Sequence, residues 1–377
     1  MRLEFYQDVP DSLSYDLLSF TNTSARYVIN PVTGVVSGPF GTGVPAVITV
    51  NGKQVVQIEA ADTNLLVYSA ALETANWAKS YASDTVSAAL YPDPNDGSRM
   101  HRHIPDAANN YHYVYQNAVG RSIGVIARNR GYNFLTIRIS GSRSITVNLT
   151  TGAWAYSEGT GFIEDLRYQI LADTSMCIAC VVNVDTTYVG IGACSASGVK
   201  SFAGDGVSGV DIWQPKLSTN TKYVSSIIMT NSVPVTRNKD QASIAAARVP
   251  AVLKDKCSID LIPEWSSAQV TTGDLRYICE FADSVQNIKV YYNGTDKKVY
   301  VYGASALITS AATTHSANQN LTVSLSRDGI LILNGFTTGN GTTIGTSWNR
   351  TDGILYVGQD ATEVNQFDGL LSEPEVW

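Results

Sequence analysis

The 377-residue sequence predicts an all-β protein: an N-terminal arm with hairpins, followed by two β-sandwich domains. Three observations lead there. Apolar residues make up 44% of the chain, but charged residues only 16%, below the roughly 25% of an average soluble domain. Thr, Ser, Asn and Gly fill the difference, with 20 tyrosines beside them, which is the composition of short strands joined by polar loops. Apolar residues alternate in short runs between Gly, Asn and Asp turns, at the spacing of a sandwich or barrel. Helical signals are confined to Ala70–Lys79 and Asp240–Leu253, and Pro250 cuts the second short.

Residues 1–62 are rich in turn formers, with Gly34, Gly38, Gly41, Gly43 and Gly52. Arg26–Asn30 (RYVIN) and Ala46–Val50 (AVITV) read as strands. The segment is too short for a large core of its own and reads as a docking arm. Residues 63–240 form the second region. Its strands are Ser122–Ala127, Asn133–Ile139, Ser144–Leu149, Met176–Val184 and Thr187–Ile191, and Asn148–Trp154 (NLTTGAW) reads as strand, glycine turn and strand. Residues 245–377 form the third. Lys289–Tyr292 enters an Asn293-Gly294 turn and Lys298–Tyr302 leaves it, since Asn-Gly supplies the positive φ of tight hairpins. Leu321–Ser326, Asp328-Gly329, Ile330–Leu333 and Asn334-Gly335 continue as an antiparallel meander. The junction near Asp240–Val252 has no Gly/Ser linker, which implies a semi-rigid connection.

The net charge of -7 comes from 33 acidic and 26 basic residues without a block of five like charges. A nucleic-acid partner would want a basic stripe, and membrane docking a polybasic segment. The first residues, MRLEFYQDVPDSLSYDLL, lack the basic-then-apolar pattern of a secretory signal, and no run approaches the roughly 18 apolar residues of a span. The expectation is therefore synthesis in a cytoplasm, no membrane insertion and no nucleic-acid partner.

Five cysteines (Cys177, Cys180, Cys194, Cys257, Cys279) are too few for a disulfide scaffold and read as buried thiols. CIACVVNV reads as a strand, which sends Cys177 and Cys180 to opposite faces, so one ion cannot take both sulfurs. His101, His103 and His112 read as exposed polar residues. Asp352 and Asp360 are oxygen donors without an EF-hand pattern. No metal and no cofactor are expected. Glu158, Glu164 and Asp165 are the densest carboxylates, but loop acids are mostly solvated, and no G-x-S-x-G, P-loop or H-E-x-x-H occurs. No catalytic residue is assigned, and the chain reads as not an enzyme.

Two stretches resemble known modules. Residues 62–80, DTNLLVYSAALETANWAKS, resemble the opening of a jelly-roll module found in phage structural proteins. The segment from Ala203, AGDGVSGVDIWQPKLSTNTKYVSS, resembles its Gly-rich, Trp-bearing close, although Val224-Ser225 stands where Ile-Pro is usual. His101-Arg102 and SIGVIARNRGYNFLTIRI match its middle strands. Asp328–Gly335, Leu355–Gly358 and Phe367–Trp377 resemble the late strands of a concanavalin A-like (laminin G-like) sandwich. The resemblance implies a jelly-roll β-sandwich over 63–240 and a concanavalin A-like β-sandwich over 245–377. It also implies a tail-fibre, tail-spike or head-fibre type of phage virion protein.

Carbohydrate recognition uses aromatic faces for sugar C–H surfaces and polar groups for hydroxyls. Trp77 and Trp213 lie inside the family-like motifs and read as core, and Trp377 as packing. Trp348 lies in the polar loop Gly345–Gly353 with Asn349, Arg350 and Asp352, and is the leading sugar-contact candidate. Trp154 and Tyr156, on the expected hairpin, are the second. The sequence thus points to a non-enzymatic component of a virion surface, tail-fibre-like or adhesin, contacting host-cell polysaccharide. Its partners would be other capsid or tail proteins, and weak sites would require a homo-oligomer or many copies. The alternative is a structural capsid decoration or head-fibre protein without a glycan ligand.

Overall fold

The computed structural model describes residues 19–21, 26–30, 32–50, 53–90, 99–220, 224–245, 256–263, 275–282, 287–302, 306–310, 321–326, 330–333, 336–340, 354–357 and 369–376. Every regular element among them is a strand. The first five are β1 (Ser19–Thr21), β2 (Arg26–Ile29), β3 (Val36–Phe40), β4 (Val47–Val50) and β5 (Lys53–Ile58). Next come β6 (Asp62–Asn64), β7 (Ala78–Ser80), β8 (Ala82–Leu90), β9 (Arg99–Pro105), β10 (Tyr113–Arg130) and β11 (Phe134–Ile139). They are followed by β12 (Arg143–Asn148), β13 (Trp154–Glu158), β14 (Ile163–Ile170), β15 (Met176–Cys194), β16 (Gly209–Ser218) and β17 (Val235–Arg237). Then follow β18 (Gln241–Ala245), β19 (Lys256–Pro263), β20 (Leu275–Ala282), β21 (Asn287–Asn293), β22 (Lys298–Tyr302) and β23 (Ala306–Thr309). The last are β24 (Leu321–Ser326), β25 (Ile330–Leu333), β26 (Phe336–Asn340), β27 (Ile354–Val357) and β28 (Gly369–Val376).

The chain divides into two compact units, and each draws on more than one stretch of sequence. One contains Asp62–Arg237 with Arg26–Pro39; the other contains Asn238–Trp377 with Phe40–Ala61 and the residues before Arg26. Small hairpins do form in residues 1–62. The β2–β3 pair belongs to the first unit, while β4–β5 extends a sheet of the second by pairing β5 with β28.

In the first unit a single ten-stranded antiparallel sheet curls on itself. Its path is β13-β12-β11-β15-β10-β16-β9-β8, with β14 on β15 and β7 on β10. The curl depends on two long strands. The sequence suggests separate strands over Met176–Val184 and Thr187–Ile191, but β15 runs unbroken from Met176 to Cys194, and β10 spans 18 residues beside it. Their mutual register slips on both sides of Gly120. A Cβ at Gly120 would lie 2.6 Å from the Ser218 carbonyl oxygen, so glycine is needed where the backbones close up. Beyond this point both strands exchange partners: their other halves pair with β14 and β16. The inner face carries one core of Leu66, Leu72, Trp77, Ile123, Val125, Leu135, Ile137, Ile145, Val147, Ile178, Ile191, Ile212 and others. A smaller cluster of Met100, Ile126, Leu171 and Trp213 lies on the opposite face, where Tyr27 of β2 meets Trp213 edge to face at 5.9 Å.

The sequence motifs at 62–80 and 203–235 are joined in space. Asn64 is fully buried; its amide donates to the carbonyls of Pro215 and Ile228 and accepts from the amides of Leu66 and Leu217. Ser69 bonds Gln214 and Thr230, and Trp77 donates its indole N–H to the Tyr68 carbonyl. Those anchors replace the helix suggested over Ala70–Lys79: successive bonds from Ala71 to Tyr68, Thr74 to Ala71 and Trp77 to Thr74 are three-residue turns, and β7 follows. Trp77 and Trp213 are both core residues. The second suggested helix is likewise corrected, because Gln241–Ala245 is a strand paired with β27; residues 246–253 of that segment lie outside the described residues.

The second unit has two seven-stranded antiparallel sheets, β1-β18-β27-β20-β21-β22-β23 and β26-β25-β24-β19-β28-β5-β4. The β24–β25–β26 meander forms as the alternation suggests, with a register shift between Leu331 and Ile332 where β25 meets β26, while its two turns lie outside the described residues. The β21–β22 loop differs from a two-residue Asn-Gly turn. Asn293 pairs with Lys298 across four loop residues, and the positive φ falls on Lys297 at 61°. Asn293 acts instead as a loop starter, its side chain accepting from the Thr295 amide.

Candidate functional site

Strand alternation places a row of tyrosines on the outer face of the first unit. In YHYVY, residues 111–115, the period of two sends Val114 inward and Tyr113 and Tyr115 outward. Register then aligns Tyr115 with Gly190 of β15, and Gly190 with Arg138 of β11. Tyr188, two residues from Gly190, joins the same face. The rings form a chain of contacts: Tyr111 to Tyr113 at 6.3 Å, Tyr113 to Tyr115 at 5.5 Å and Tyr115 to Tyr188 at 6.0 Å. The absent side chain at Gly190 gives Tyr113 its place, since a Cβ there would lie 2.7 Å from the ring.

Charged groups are fixed within this row. The Arg138 guanidinium lies 3.8 Å from the centre of the Tyr111 ring and donates through Nε to the Tyr188 hydroxyl at 2.9 Å. Glu158, at the end of edge strand β13, accepts from the Tyr111 hydroxyl at 2.7 Å and pairs with Lys200 at 2.6 Å. Arg138 Nη2 approaches the same carboxylate at 3.7 Å. Burial alone would push the Glu158 carboxyl up, but hydrogen bonds from Lys200 and Tyr111 and the nearby cations hold it below the usual value. Burial raises the Tyr111 and Tyr113 hydroxyls, so both stay neutral donors at physiological pH. The result is a half-buried aromatic surface with a fixed carboxylate, a guanidinium and an exposed ammonium. That arrangement suits stacking and hydrogen bonding to a polyhydroxylated ligand.

Trp154 and Tyr156 lie elsewhere on the same unit. Both point to the core side of β13, opposite Val147 and Ile145. Tyr156 packs edge to face on Phe162 at 5.1 Å and on Trp154 at 5.2 Å, whereas Trp154 is 39% exposed. Tyr168 of edge strand β14 is also exposed, and its ring occupies the space a Cβ would take at Gly152 in the β12–β13 turn. Trp348, Asn349, Arg350 and Asp352 lie outside the described residues, as does Trp377. In the second unit, register stacks Tyr277, Tyr291 and Tyr300 across three strands, with centroids 5.3 and 5.5 Å apart.

The three histidines are buried, not exposed. His101 lies between the Ala70 carbonyl at 2.6 Å and Glu73 at 2.8 Å, and His112 between the carbonyls of Tyr81 at 2.5 Å and Phe202 at 2.7 Å. Their turn and loop partners could not be read from strand alternation. Cys177, Cys180 and Cys194 are not in disulfides; Cys180 belongs to the inner core while Cys177 packs against the outer cluster. Burial raises the Cys180 thiol to about 12. Among the described residues no group of three His, Cys, Asp or Glu side chains is placed to hold a metal ion, and no helix is long and apolar enough to cross a membrane. Of the expected carboxylates, Asp165 pairs with Arg167 at 2.7 Å, and Glu158 belongs to the tyrosine row.

The tyrosine row is the site that sequence reading missed. Its signal was the Tyr-x-Tyr-x-Tyr alternation at 111–115. Nothing local links that run to Arg138, Glu158, Tyr188 or Lys200, which only register assembles. No family model matches the chain, and neither does any curated protein sequence.

Proposed function

We propose that the protein is a non-enzymatic component of a phage virion surface, tail-fibre-like or adhesin, that contacts host-cell glycans through its aromatic faces. On this reading the curled sheet of the first unit is the jelly-roll module that the motifs at 62–80 and 203–235 resemble. The second unit is the concanavalin A-like sandwich. The single observation that carries the binding reading is the tyrosine row braced by Arg138, Glu158 and Lys200: aromatic surface and orienting polar groups share one strand-borne face. Individual sites of this kind are weak, so many copies on the particle would supply the avidity.

The test is binding of fluorescently labelled protein to intact host bacteria, with Tyr113→Ala, Arg138→Gln and Trp154→Ala alongside wild type. Saturable binding weakened roughly tenfold or more in the Tyr113 or Arg138 variant, the loss of one stacked ring or charged hydrogen bond, supports the reading. Loss only in Trp154→Ala moves the contact to the β13 edge. Absence of binding by artificially clustered wild type overturns adhesion.

A structural decoration role has its own support. Val32 and Val35, around the β2–β3 turn, are 60% and 47% exposed, which suits docking onto another virion protein. Under this reading the protein associates with purified particles but not with host cells.

A further inference from the structure

We infer that Arg102, Arg128 and Arg130 form a binding site for an oxyanion group (sulfate, phosphate or carboxylate), organised around the buried carboxylate of Asp211. The inference stands on geometry separate from the tyrosine row. Register sets Arg102 of β9, Asp211 of β16 and Arg128 of β10 side by side on three adjacent strands. Arg130, two residues beyond Arg128, falls on the same face. Asp211 is fully buried, whereas the side chains of Arg102 and Arg130 are 35% and 36% exposed.

The choice of atoms is informative. Arg102 uses Nε on Asp211 Oδ1 at 3.1 Å, and Arg130 uses Nε on Oδ2 at 2.6 Å. Both guanidinium forks, the paired Nη groups that match an oxyanion in bidentate fashion, are therefore left without a protein acceptor among the described residues. Arg128 is placed differently: 14% exposed, it spans Asp211 at 3.4 Å and Asp173 at 3.3 Å. One bidentate arginine would neutralise one buried carboxylate. Among the described residues three cations face two carboxylates, a local formal charge of +1 on a protein whose net charge is -7. Rigid strands hold the forks, so little ordering cost attends binding. This is the local chemistry of an anion receptor on an acidic protein.

Titration calorimetry with sodium sulfate, at ionic strength held constant with sodium chloride, tests it directly. Wild type is expected to bind saturably. Arg102→Gln and Arg130→Gln each leave Asp211 two arginine partners, and each should weaken binding roughly tenfold, the loss of a charge-assisted bond. Arg102→Lys, which keeps the charge but not the fork, should weaken it as well. Arg121→Gln, whose partner is the exposed Asp185, should bind as wild type does. The Nε–H resonances of Arg102 and Arg130 should shift when sulfate is added to wild type, a readout that needs no variant to fold. A heparin hexasaccharide titrated in parallel distinguishes the source: tighter binding than sulfate, lost in the same variants, means an anion carried on an acidic polysaccharide, and equal binding means a free anion. Absence of saturable sulfate binding, resonances that do not move, or equal affinity in all variants overturns the site.

Discussion

At the residue scale the most consequential group is the ion pair of Lys216 and Asp62, which ties β16 to β6. Lys216 Nζ lies 2.6 Å from Asp62 Oδ2, both side chains are at most 5% exposed, and Ser225 bonds both. Burial pushes the Asp62 carboxyl up, but the Lys216 charge and the hydrogen bonds of Lys216, Ser225 and Thr63 outweigh it and leave the group below 3.8. The folded value is depressed, so the contribution to stability is complete above 3.8, the unfolded value, and is lost as pH falls through the folded one. Asp62→Asn should therefore flatten the acid limb of a stability-versus-pH curve in that range. Removing one partner leaves an uncompensated buried charge, so Asp62→Ala should cost about 3–5 kcal/mol in urea unfolding, whereas Asp62→Leu with Lys216→Met should cost far less. Equal losses in the single and double variants would refute this account.

At the element scale, strand existence and face were largely legible, while strand continuity and turns were not. Alternation in NFLTIRI and SITVNL predicted β11 and β12, and the hairpin between β12 and β13 forms as expected: Asn148 accepts from the amides of Thr150 and Thr151, and Gly152 has a φ of 72°. The polar stretch between Val184 and Thr187 looked like a break, because local patterning does not register that a long strand can bend and change partners. The turn at 70–79 has helix-compatible residues, and only the burial of Ser69 and Trp77 against distant segments decides against a helix. Gly190 links element to site. Gly190→Ala should destabilise by about 1–3 kcal/mol, since Tyr113 must move off its place. In a double-mutant cycle with Tyr113→Ala the two changes should be non-additive by about 0.5–3 kcal/mol. Simple additivity, measured by thermal unfolding, would mean that the ring does not depend on this glycine.

At the scale of the whole molecule, each unit is completed by chain remote in sequence. The first unit needs the β2–β3 hairpin, because Tyr27 covers Trp213 beside Met100, Ile126 and Leu171. Tyr27→Ala should cost about 3–5 kcal/mol and shift tryptophan emission to the red as Trp213 gains water. Unchanged stability and emission would show that the hairpin is dispensable. Composition and alternation by themselves determined that the protein is all-β and that Trp154 lies on a hairpin, because these follow from the two-residue period of a strand and the φ demands of turns; that Trp77 and Trp213 are core followed from the resemblance of the motifs that hold them. Only the tertiary structure decided that one sheet curls through two long strands, that residues 26–39 and 40–61 serve different units, and that the buried His101 and His112 face carbonyl and carboxylate oxygens. It also decided which charges meet: Arg138 with Glu158, and Arg102 and Arg130 with Asp211. Those pairings depend on register between strands tens of residues apart, and register is set by the packing of whole faces, which no local window of sequence contains.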